Sequence, residues 1–472
     1  MDKKNIRKMK YFLLAATVTF LFTACTAPVE ESTGLPLLKI SDNNHFLVNE
    51  KGEPFFWLGD TGWLLFKKLN REDAELYLEN RKEKGFNVIQ VMILHDLDTC
   101  INYYGDSAFV HKDISRPLTT PGNDPGDAME YDYWDHMDYI IGLAEEKGIY
   151  MAMVPVWGSN VKGHPIAPDR ATAYGTWLAE RYRDRSNIIW VNGGDIPGSD
   201  SMNFWISLGN ALNDNDPNHL VTFHPRGRMQ SSTWFHHEPW LDFNMVQSGH
   251  RRYDQDDTEL NYGEDNWRYI ETDYRLSPPR PVLDAEPSYE GIPQGLHDFS
   301  QPLWLDRDVR RYAYWSVFAG GFGFTYGNNS VMQFFRPGRD IPSFGATIHW
   351  KQELDVPGAS QVIHLKELML SRPFLERVPD QSLVARNQGE KYDYLIATRG
   401  KNYAFVYTYT GREMEIAMGK IEGEKLDASW YDPRSGEWTA IGEIENRGTV
   451  SFDPPGDREE GNDWVLVLDS KL

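Results

Sequence analysis

The sequence predicts an α/β protein, a (β/α)8 barrel followed by a small all-β sandwich domain. Short apolar runs of strand length alternate with amphipathic stretches of helical length through most of the chain. Counting from Phe55 gives eight strand candidates, the number that closes such a barrel. Near Leu375 the pattern changes to short runs separated by turn residues. The predicted domains are a signal peptide (1–24), a lipidated cysteine with a tether (25–35), the barrel (36–375) and the sandwich (376–472).

Each strand candidate of the barrel is an apolar run that ends at polar or small residues. The runs are 55–60, 87–94, 149–156, 187–191, 219–223, 243–247, 281–284 and 321–326. Helices are predicted over 71–84, 132–147 and 172–183, and the first two end at Gly85 and Gly148 because glycine readily terminates a helix. The long connections 95–131 and 249–280 are expected among the loops that follow barrel strands.

The competing architecture is an open doubly wound sheet. Such a sheet normally carries a glycine-rich phosphate loop after its first strand. The segment from Gly59 to Gly62 is too short and too acidic for that loop, so the barrel is favoured. In the C-terminal region, strands are predicted at 392–398, 403–409, 415–418 and 464–468.

The N-terminus has the three parts of a secretory signal. Basic residues through Lys10 precede an apolar stretch too short to span a bilayer comfortably, and small residues follow. The segment Leu21 to Cys25 resembles a bacterial lipoprotein signal, with Cys25 as the lipidated first residue. The alternative is an ordinary secretory signal that ends near a cysteine. If Cys25 is lipidated, Cys100 is the one remaining cysteine, so no intrachain disulfide can form. We interpret Cys100 as a buried apolar-type residue rather than a nucleophile.

Charge excludes several classes of partner. The formal net charge is −22, so the chain should repel nucleic acid and anionic membrane surfaces, and we expect membrane contact only through the lipid anchor. Aromatic residues make up 13% of the chain, with 16 Trp and 24 Tyr. Sugar sites favour such flat rings, but large cores also use them, so this composition favours a carbohydrate site only modestly.

Two carboxyl groups follow buried-strand runs directly. Asp195 ends the segment from Trp190, with Asn192 and two glycines before it, and Glu286 follows the run that starts at Pro281. The alternative for each is a surface or helix-capping acid. For Asp195, the two glycines count against this alternative because they permit a tight turn and close approach of a ligand. For Glu286, the preceding apolar strand counts against it, because an isolated buried carboxylate would be costly without a purpose.

A pair of carboxyl groups across a barrel mouth is what glycosidic-bond hydrolysis requires. We assign Asp195 as the general acid/base and Glu286 as the nucleophile. A separation of about 5 to 5.5 Å would indicate a retaining mechanism and one of about 6.5 to 9.5 Å an inverting mechanism. The sequence therefore predicts a secreted sugar hydrolase.

Other polar and aromatic side chains at strand ends are predicted to complete a substrate pocket. They are Asp60, Trp63, His95, Trp157, Asn192, His224, Gln247 and Tyr326, and His250 is a further polar group after the sixth strand candidate. His236 and His237 are adjacent and lack the helical spacing of a metal motif, so no metal and no cofactor is predicted.

At these residues the chain resembles a known family. The segments from Phe56 to Trp63, from Trp190 to Asp195 and from Leu283 to Pro287 resemble the apiosidase-like glycoside hydrolases, family 140. The resemblance covers roughly residues 36–375. It implies a (β/α)8 barrel with the catalytic aspartate at Asp195 and the catalytic glutamate at Glu286. The tail is similar to the small β-domain that accompanies this family and is named for collagen binding, although nothing in the tail supports collagen as a ligand.

The resemblance also implies a substrate, namely apiose linked to galacturonic acid in the rhamnogalacturonan II side chains of pectin. A pectic oligosaccharide or polysaccharide is anionic, so local cations must offset the acidic chain. The candidates are Arg226, Arg228, Arg251 and Arg252.

Two alternatives stay open: a glycosidase of the same fold acting on another plant or microbial glycoside, and a non-catalytic lipoprotein that captures glycans. The C-terminal domain either binds glycan or covers one flank of the barrel. The expected location is the envelope of a Gram-negative-type bacterium, periplasmic or at the outer surface.

Overall fold

The structure, a computed structural model, describes residues 34–163, 165–255 and 262–471. The predicted signal peptide and the lipidation of Cys25 lie outside the described residues. Three short antiparallel strands come first: β1 (Leu38–Ile40), β2 (Leu47–Asn49) and β3 (Pro54–Phe55). Within the described ranges, no helix is both long and apolar enough to cross a membrane.

A nine-stranded sheet follows in the described part of the chain. Its strands are β4 (Trp57–Thr61), β5 (Val88–Met92), β6 (Tyr150–Val154), β7 (Ile188–Ile196), β8 (Val221–Pro225), β9 (Met229–Gln230), β10 (Asn244–Gln247), β11 (Val282–Asp284) and β12 (Gly323–Tyr326). The sheet order is β8-β7-β6-β5-β4-β12-β11-β10-β9, with β9 antiparallel to β10 and the other pairs parallel. Hydrogen bonds from Thr222 Oγ1 to the Phe243 carbonyl (2.6 Å) and from the Asp242 N–H to the Val221 carbonyl (2.8 Å) connect β8 to the chain entering β10. The eight predicted strands thus form the barrel.

Helices surround the barrel. They are α1 (Leu65–Lys68), α2 (Arg71–Glu83), α3 (Tyr133–Glu146), α4 (Ser159–Gly163), α5 (Pro168–Tyr182), α6 (Met202–Asn215), α7 (Ser232–Phe235), α8 (Asn266–Tyr274), α9 (Asp306–Phe318), α10 (Asn329–Met332), α11 (Pro357–Gln361) and α12 (Ile363–Leu370). The Asn70 side chain caps α2 by accepting from the Asp73 N–H at 2.9 Å. As predicted, α2 and α3 end before glycines in the left-handed region, Gly85 and Gly148, both with φ 79°.

Alternate residues of the barrel strands face opposite sides. Ile89 and Val91 of β5 pack in a core with α2 and α3, whereas Gln90 reaches across the barrel and donates to the Ala285 carbonyl at 2.8 Å. This alternation decides which strand-end side chains reach the open end of the barrel.

The C-terminal strands form two antiparallel sheets. The strands are β13 (Val378–Pro379), β14 (Val384–Arg386), β15 (Ile396–Arg399), β16 (Tyr403–Thr408), β17 (Met414–Ala417), β18 (Lys425–Tyr431), β19 (Trp438–Glu445), β20 (Thr449–Phe452) and β21 (Trp464–Ser470). The larger sheet has the order β13-β15-β16-β21-β18-β19 and the smaller β14-β17-β20. This all-β part after the barrel confirms the predicted fold class.

The larger C-terminal sheet packs on α9 of the barrel. Tyr314 and Tyr407 stack with ring centroids 4.8 Å apart, and the buried Arg310 donates to both carboxylate oxygens of Asp463. Residues of β16 and β21 belong to the same buried apolar cluster as the barrel helices. The sheet therefore covers one flank of the barrel and shares its core.

Candidate active site

A cleft of about 350 Å³ lies at the carboxyl ends of the barrel strands. Asp195 and Glu286 both line it. Its described lining residues are Trp63, Leu64, Met92, His95, Trp157, Asp195, Arg226, Gly227, Arg228, Gln247, Gly249, His250, Arg251, Glu286, Tyr289, Ile292, Leu296, His297, Met332, Gln333, Ser343 and Phe344. Trp63 and Trp157 form an aromatic wall, with ring centroids 5.2 Å apart. Such a mixture of aromatic rings and converging polar groups is typical of a ligand site.

Asp195 is held in the cleft by an irregular end of β7. Gly193, Gly194 and Asp195 all have positive φ, 87°, 108° and 47°, and the pairing of β7 with β8 shifts register there. A Cβ on Gly193 would lie 2.5 Å from the His224 carbonyl oxygen, and one on Gly194 would lie 2.4 Å from the Trp157 ring. Larger residues would clash at both positions, so the two glycines allow the backbone to turn Asp195 into the cleft.

The surroundings of Asp195 favour its protonated form. Its side chain is exposed to the cleft, but protein atoms crowd it on several sides. Desolvation raises the pKa of this carboxyl, and the negative charge of Glu286 raises it further. His224, the Gly227 N–H and Arg226 oppose the rise. The net direction is upward, as a general acid requires.

Glu286 lies in the opposite electrostatic environment. The residue is buried, with 8% of its surface exposed, and two histidines contact its carboxylate: His224 Nε2 is 3.1 Å from Oε2 and His250 Nε2 is 3.3 Å from Oε1. Burial alone would raise the pKa of Glu286, but His224 and His250 outweigh it and lower the pKa to about 2. Glu286 is therefore ionised wherever the protein operates near neutral pH.

Neighbouring groups hold this arrangement. The Tyr289 N–H donates to His250 Nδ1 at 3.4 Å, which leaves the Nε2 proton for Glu286. The Gly249 N–H donates to the Glu286 carbonyl at 3.0 Å. Buried Asp284 accepts from Ser248 Oγ at 2.7 Å, so the strand that carries Glu286 is tied to the segment that carries His250.

Two carboxyl groups whose pKa values are displaced in opposite directions can divide acid and base work between them. Asp195 can donate a proton to a leaving oxygen, and Glu286 can attack a carbon or stabilise a cation. The assignment of Asp195 as general acid/base and Glu286 as nucleophile stays a prediction.

Several predicted binding residues are at the cleft. Trp63, His95, Trp157 and Gln247 line it, and His224 contacts Glu286 beneath it. Substrate binding by these residues stays a prediction.

Three predicted binding residues are not at the cleft, and their assignment is corrected. Asp60 is fully buried and accepts from Tyr77 Oη and Arg81 Nε of α2, both at 2.6 Å. The Asn192 amide donates to the Trp205 carbonyl of α6 at 2.8 Å.

The third, Tyr326, donates from Oη to Glu290 Oε2 at 2.6 Å, away from the cleft. Asp60 and Asn192 lie on the helix-facing side of their strands, where a strand-end position does not lead into the pocket.

Further groups complete the cleft. His250, predicted as a polar group of the pocket, lines it, but its contact with Glu286, which joins two loops distant in sequence, was not predicted. The segment around α10 supplies a further wall that includes Gln333 and Phe344. Of the four candidate cations, Arg226, Arg228 and Arg251 line the cleft. Arg252 does not, and pairs through two nitrogens with Asp254.

Comparisons with known proteins agree with this architecture. Residues 41–376 match the family model described as "Apiosidase-like, catalytic domain", and residues 378–469 match that described as "Putative collagen-binding domain of a collagenase". A solved structure described as a glycoside hydrolase is 49% identical, with a TM-score of 0.87 over 92% of this chain and 97% of that one. Another, a glycoside hydrolase family 5 protein from Bacteroides vulgatus, is 46% identical, with a TM-score of 0.87 over 92% of this chain and 95% of that one. A search of curated proteins gives no match.

Proposed function

Since this chain belongs to the apiosidase-like family of glycoside hydrolases, we propose that it is a retaining enzyme that releases apiose from galacturonic acid in the rhamnogalacturonan II side chains of pectin. The observation that carries the mechanism is the opposite displacement of the two carboxyl pKa values in one cleft. The proposed substrate comes from the family resemblance. Arginines at the cleft agree with it, because pectic sugars are anionic.

In the proposed first step, the Glu286 carboxylate attacks the anomeric carbon while Asp195 donates its proton to the leaving oxygen. The glycosidic C–O bond breaks and a glycosyl ester forms on Glu286. In the second step, Asp195 takes a proton from water, the water oxygen attacks the anomeric carbon, and the Glu286 carboxylate is released. His224 and His250 support the first step because they keep Glu286 ionised.

The first test is sugar release from purified rhamnogalacturonan II by wild type and Glu286→Gln. Apiose should appear with wild type, and turnover by Glu286→Gln should fall by several orders of magnitude. A matched control is Glu445→Gln, a change at an exposed position in the C-terminal sheet, which should leave turnover unchanged. If wild type releases no apiose while cleaving other glycosides, the substrate is wrong and the hydrolase mechanism remains.

The two roles are separated by azide rescue. In Asp195→Ala, azide should restore turnover and give a glycosyl azide of retained configuration, because the anion attacks the ester on Glu286. In Glu286→Ala, azide should take the place of the carboxylate and give the inverted configuration. The reverse pattern would exchange the assignments, and an inverted sugar from wild type would exclude retention.

The proposed location is the cell envelope, with the mature chain anchored through a lipid on Cys25. It is supported by the basic and apolar residues before this cysteine. Wild type should appear in the membrane fraction of the expressing cells and incorporate labelled palmitate, and Cys25→Ser should do neither. Equal labelling of both proteins would exclude Cys25 as the lipidation site.

A further inference from the structure

One arginine lies beside the acid in the cleft. Arg226 directly follows β8 and precedes Gly227, whose N–H lies against the Asp195 carboxyl. The Arg226 side chain is exposed and lines the cleft. In the part of the chain that the structure describes, no hydrogen bond or ion pair engages its guanidinium group. A guanidinium with five donors thus faces the cleft on the side of Asp195.

The charge balance of the cleft favours an anionic ligand. Arg226 and Arg251 line it, and Asp195 and Glu286 are the carboxyl groups among its described lining residues. When Asp195 carries its proton, these described residues hold two arginines against one carboxylate, that of Glu286. This local excess of positive charge stands in a chain of net charge −22, so the whole-chain charge does not explain it.

The position of Arg226 assigns it to one side of the scissile bond. A general acid donates its proton to the glycosidic oxygen, so the groups around it face the leaving sugar. We propose that Arg226 binds a carboxylate on the leaving sugar, which makes it the residue that selects a uronic acid at that subsite. This inference rests on the proposed function for the identity of the acid, Asp195. A planar guanidinium matches a carboxylate through two parallel hydrogen bonds.

A carboxylate bound at Arg226 also affects the general acid, Asp195. In the free enzyme, Arg226 lowers the pKa of Asp195 and so opposes its protonation. A bound carboxylate offsets the guanidinium charge, which lets the pKa of Asp195 rise in the complex. For an acidic leaving sugar, the alkaline limb of kcat should therefore lie at higher pH than that of kcat/KM. For a methyl-esterified substrate the two limbs should lie closer together.

The direct test measures binding of galacturonic acid and of galactose by calorimetry, with wild type, Arg226→Gln and Arg226→Lys. Wild type should bind the acid about 10-fold or more tightly than the neutral sugar, since a hydrogen bond to a charged group is worth roughly that factor or more. Arg226→Gln should lose this preference and Arg226→Lys should keep part of it. Arg252→Gln is the matched control and should keep the full preference, because Arg252 already pairs with Asp254.

A kinetic measurement extends the test to turnover. The substrates are oligosaccharides from rhamnogalacturonan II with free or methyl-esterified carboxyl groups. Relative to wild type, kcat/KM of Arg226→Gln should fall about 10-fold or more on the free acid and change little on the ester. Equal affinity of wild type for acid and neutral sugar, undetectable binding of the acid, or an unchanged preference in Arg226→Gln would overturn the proposal. Selective binding of the acid without release of apiose would support Arg226 as the anion site and count against the proposed substrate.

Discussion

Replacing the two histidines at Glu286 should move the acidic limit of activity to higher pH. His224 and His250 together lower the pKa of Glu286 from its usual 4.5 to about 2 against the effect of burial. A shift of that size corresponds to about 3 kcal/mol in favour of the carboxylate. Phenylalanine keeps an aromatic ring at each position, where His224 contacts Trp63 and His250 contacts Tyr289, but it donates no proton. The double variant leaves burial unopposed, so the pKa of Glu286 should rise above 4.5.

The assay is the pH dependence of kcat/KM, which reports ionisations of the free enzyme. Because attack requires the carboxylate, activity is lost as pH falls through the pKa of Glu286. Wild type should therefore keep its kcat/KM down to the pH at which it unfolds. His250→Phe should lose activity at a pH about one unit or more higher than wild type, and the double variant should lose it above pH 4.5.

Circular dichroism at each pH separates titration from unfolding. His237→Phe makes the same chemical change at an exposed histidine and should retain the wild-type profile. An acidic limb of the double variant that coincides with that of wild type, with both proteins folded, would refute the claim that the histidines control Glu286.

Two further predictions concern stability. Asp463→Ala should lower the free energy of unfolding in urea by about 2 to 4 kcal/mol, because buried Arg310 loses the carboxylate that accepts from its Nε and Nη2 and keeps Asp306 and Gln361 at Nη1. Arg447→Ala at an exposed pair should cost less than about 1 kcal/mol, and equal costs would contradict a structural role of the first pair. Burial raises the pKa of Asp273 to about 7, so between about pH 4 and 7 the folded state holds a proton that the unfolded state has lost, and stability falls as pH rises through this window. Asp273→Asn should therefore show a smaller drop in Tm from pH 5 to pH 8 than wild type, and an equal drop would be evidence against this titration.

The barrel could be predicted because its buried strands are short apolar runs with clear ends. All eight runs correspond to observed strands, and the carboxyls that follow two of them meet in the cleft. The sandwich was predicted less completely. β19 is exposed along nearly its whole length, so no apolar alternation identifies it, although it pairs with β18 over seven positions.

The site was harder to predict than the fold, because it depends on which side of its strand each side chain faces. Asp60 and Asn192 were placed correctly at strand ends, but each faces a helix. A shift of one residue along a strand moves a side chain to the opposite face. When both faces of a strand are buried, its sequence is apolar throughout and does not reveal which face a residue occupies. His250 and Arg226 were named from the sequence as candidates for the pocket, but only closure of the barrel brings their loops to Glu286 and Asp195, so the sequence could not show which carboxyl each one lies beside.

The contact between barrel and sandwich argues that the C-terminal strands are part of the enzyme's core rather than an appended binding module. Tyr314 and Phe318 of α9 lie against Tyr407 and Phe405 of β16, and these rings are buried. A barrel without the sandwich would expose that aromatic surface and the guanidinium of Arg310. Since α9 leads directly into β12, a disturbance there would reach the barrel sheet itself. The requirement for the sandwich therefore follows from packing and does not depend on any ligand that the sandwich binds.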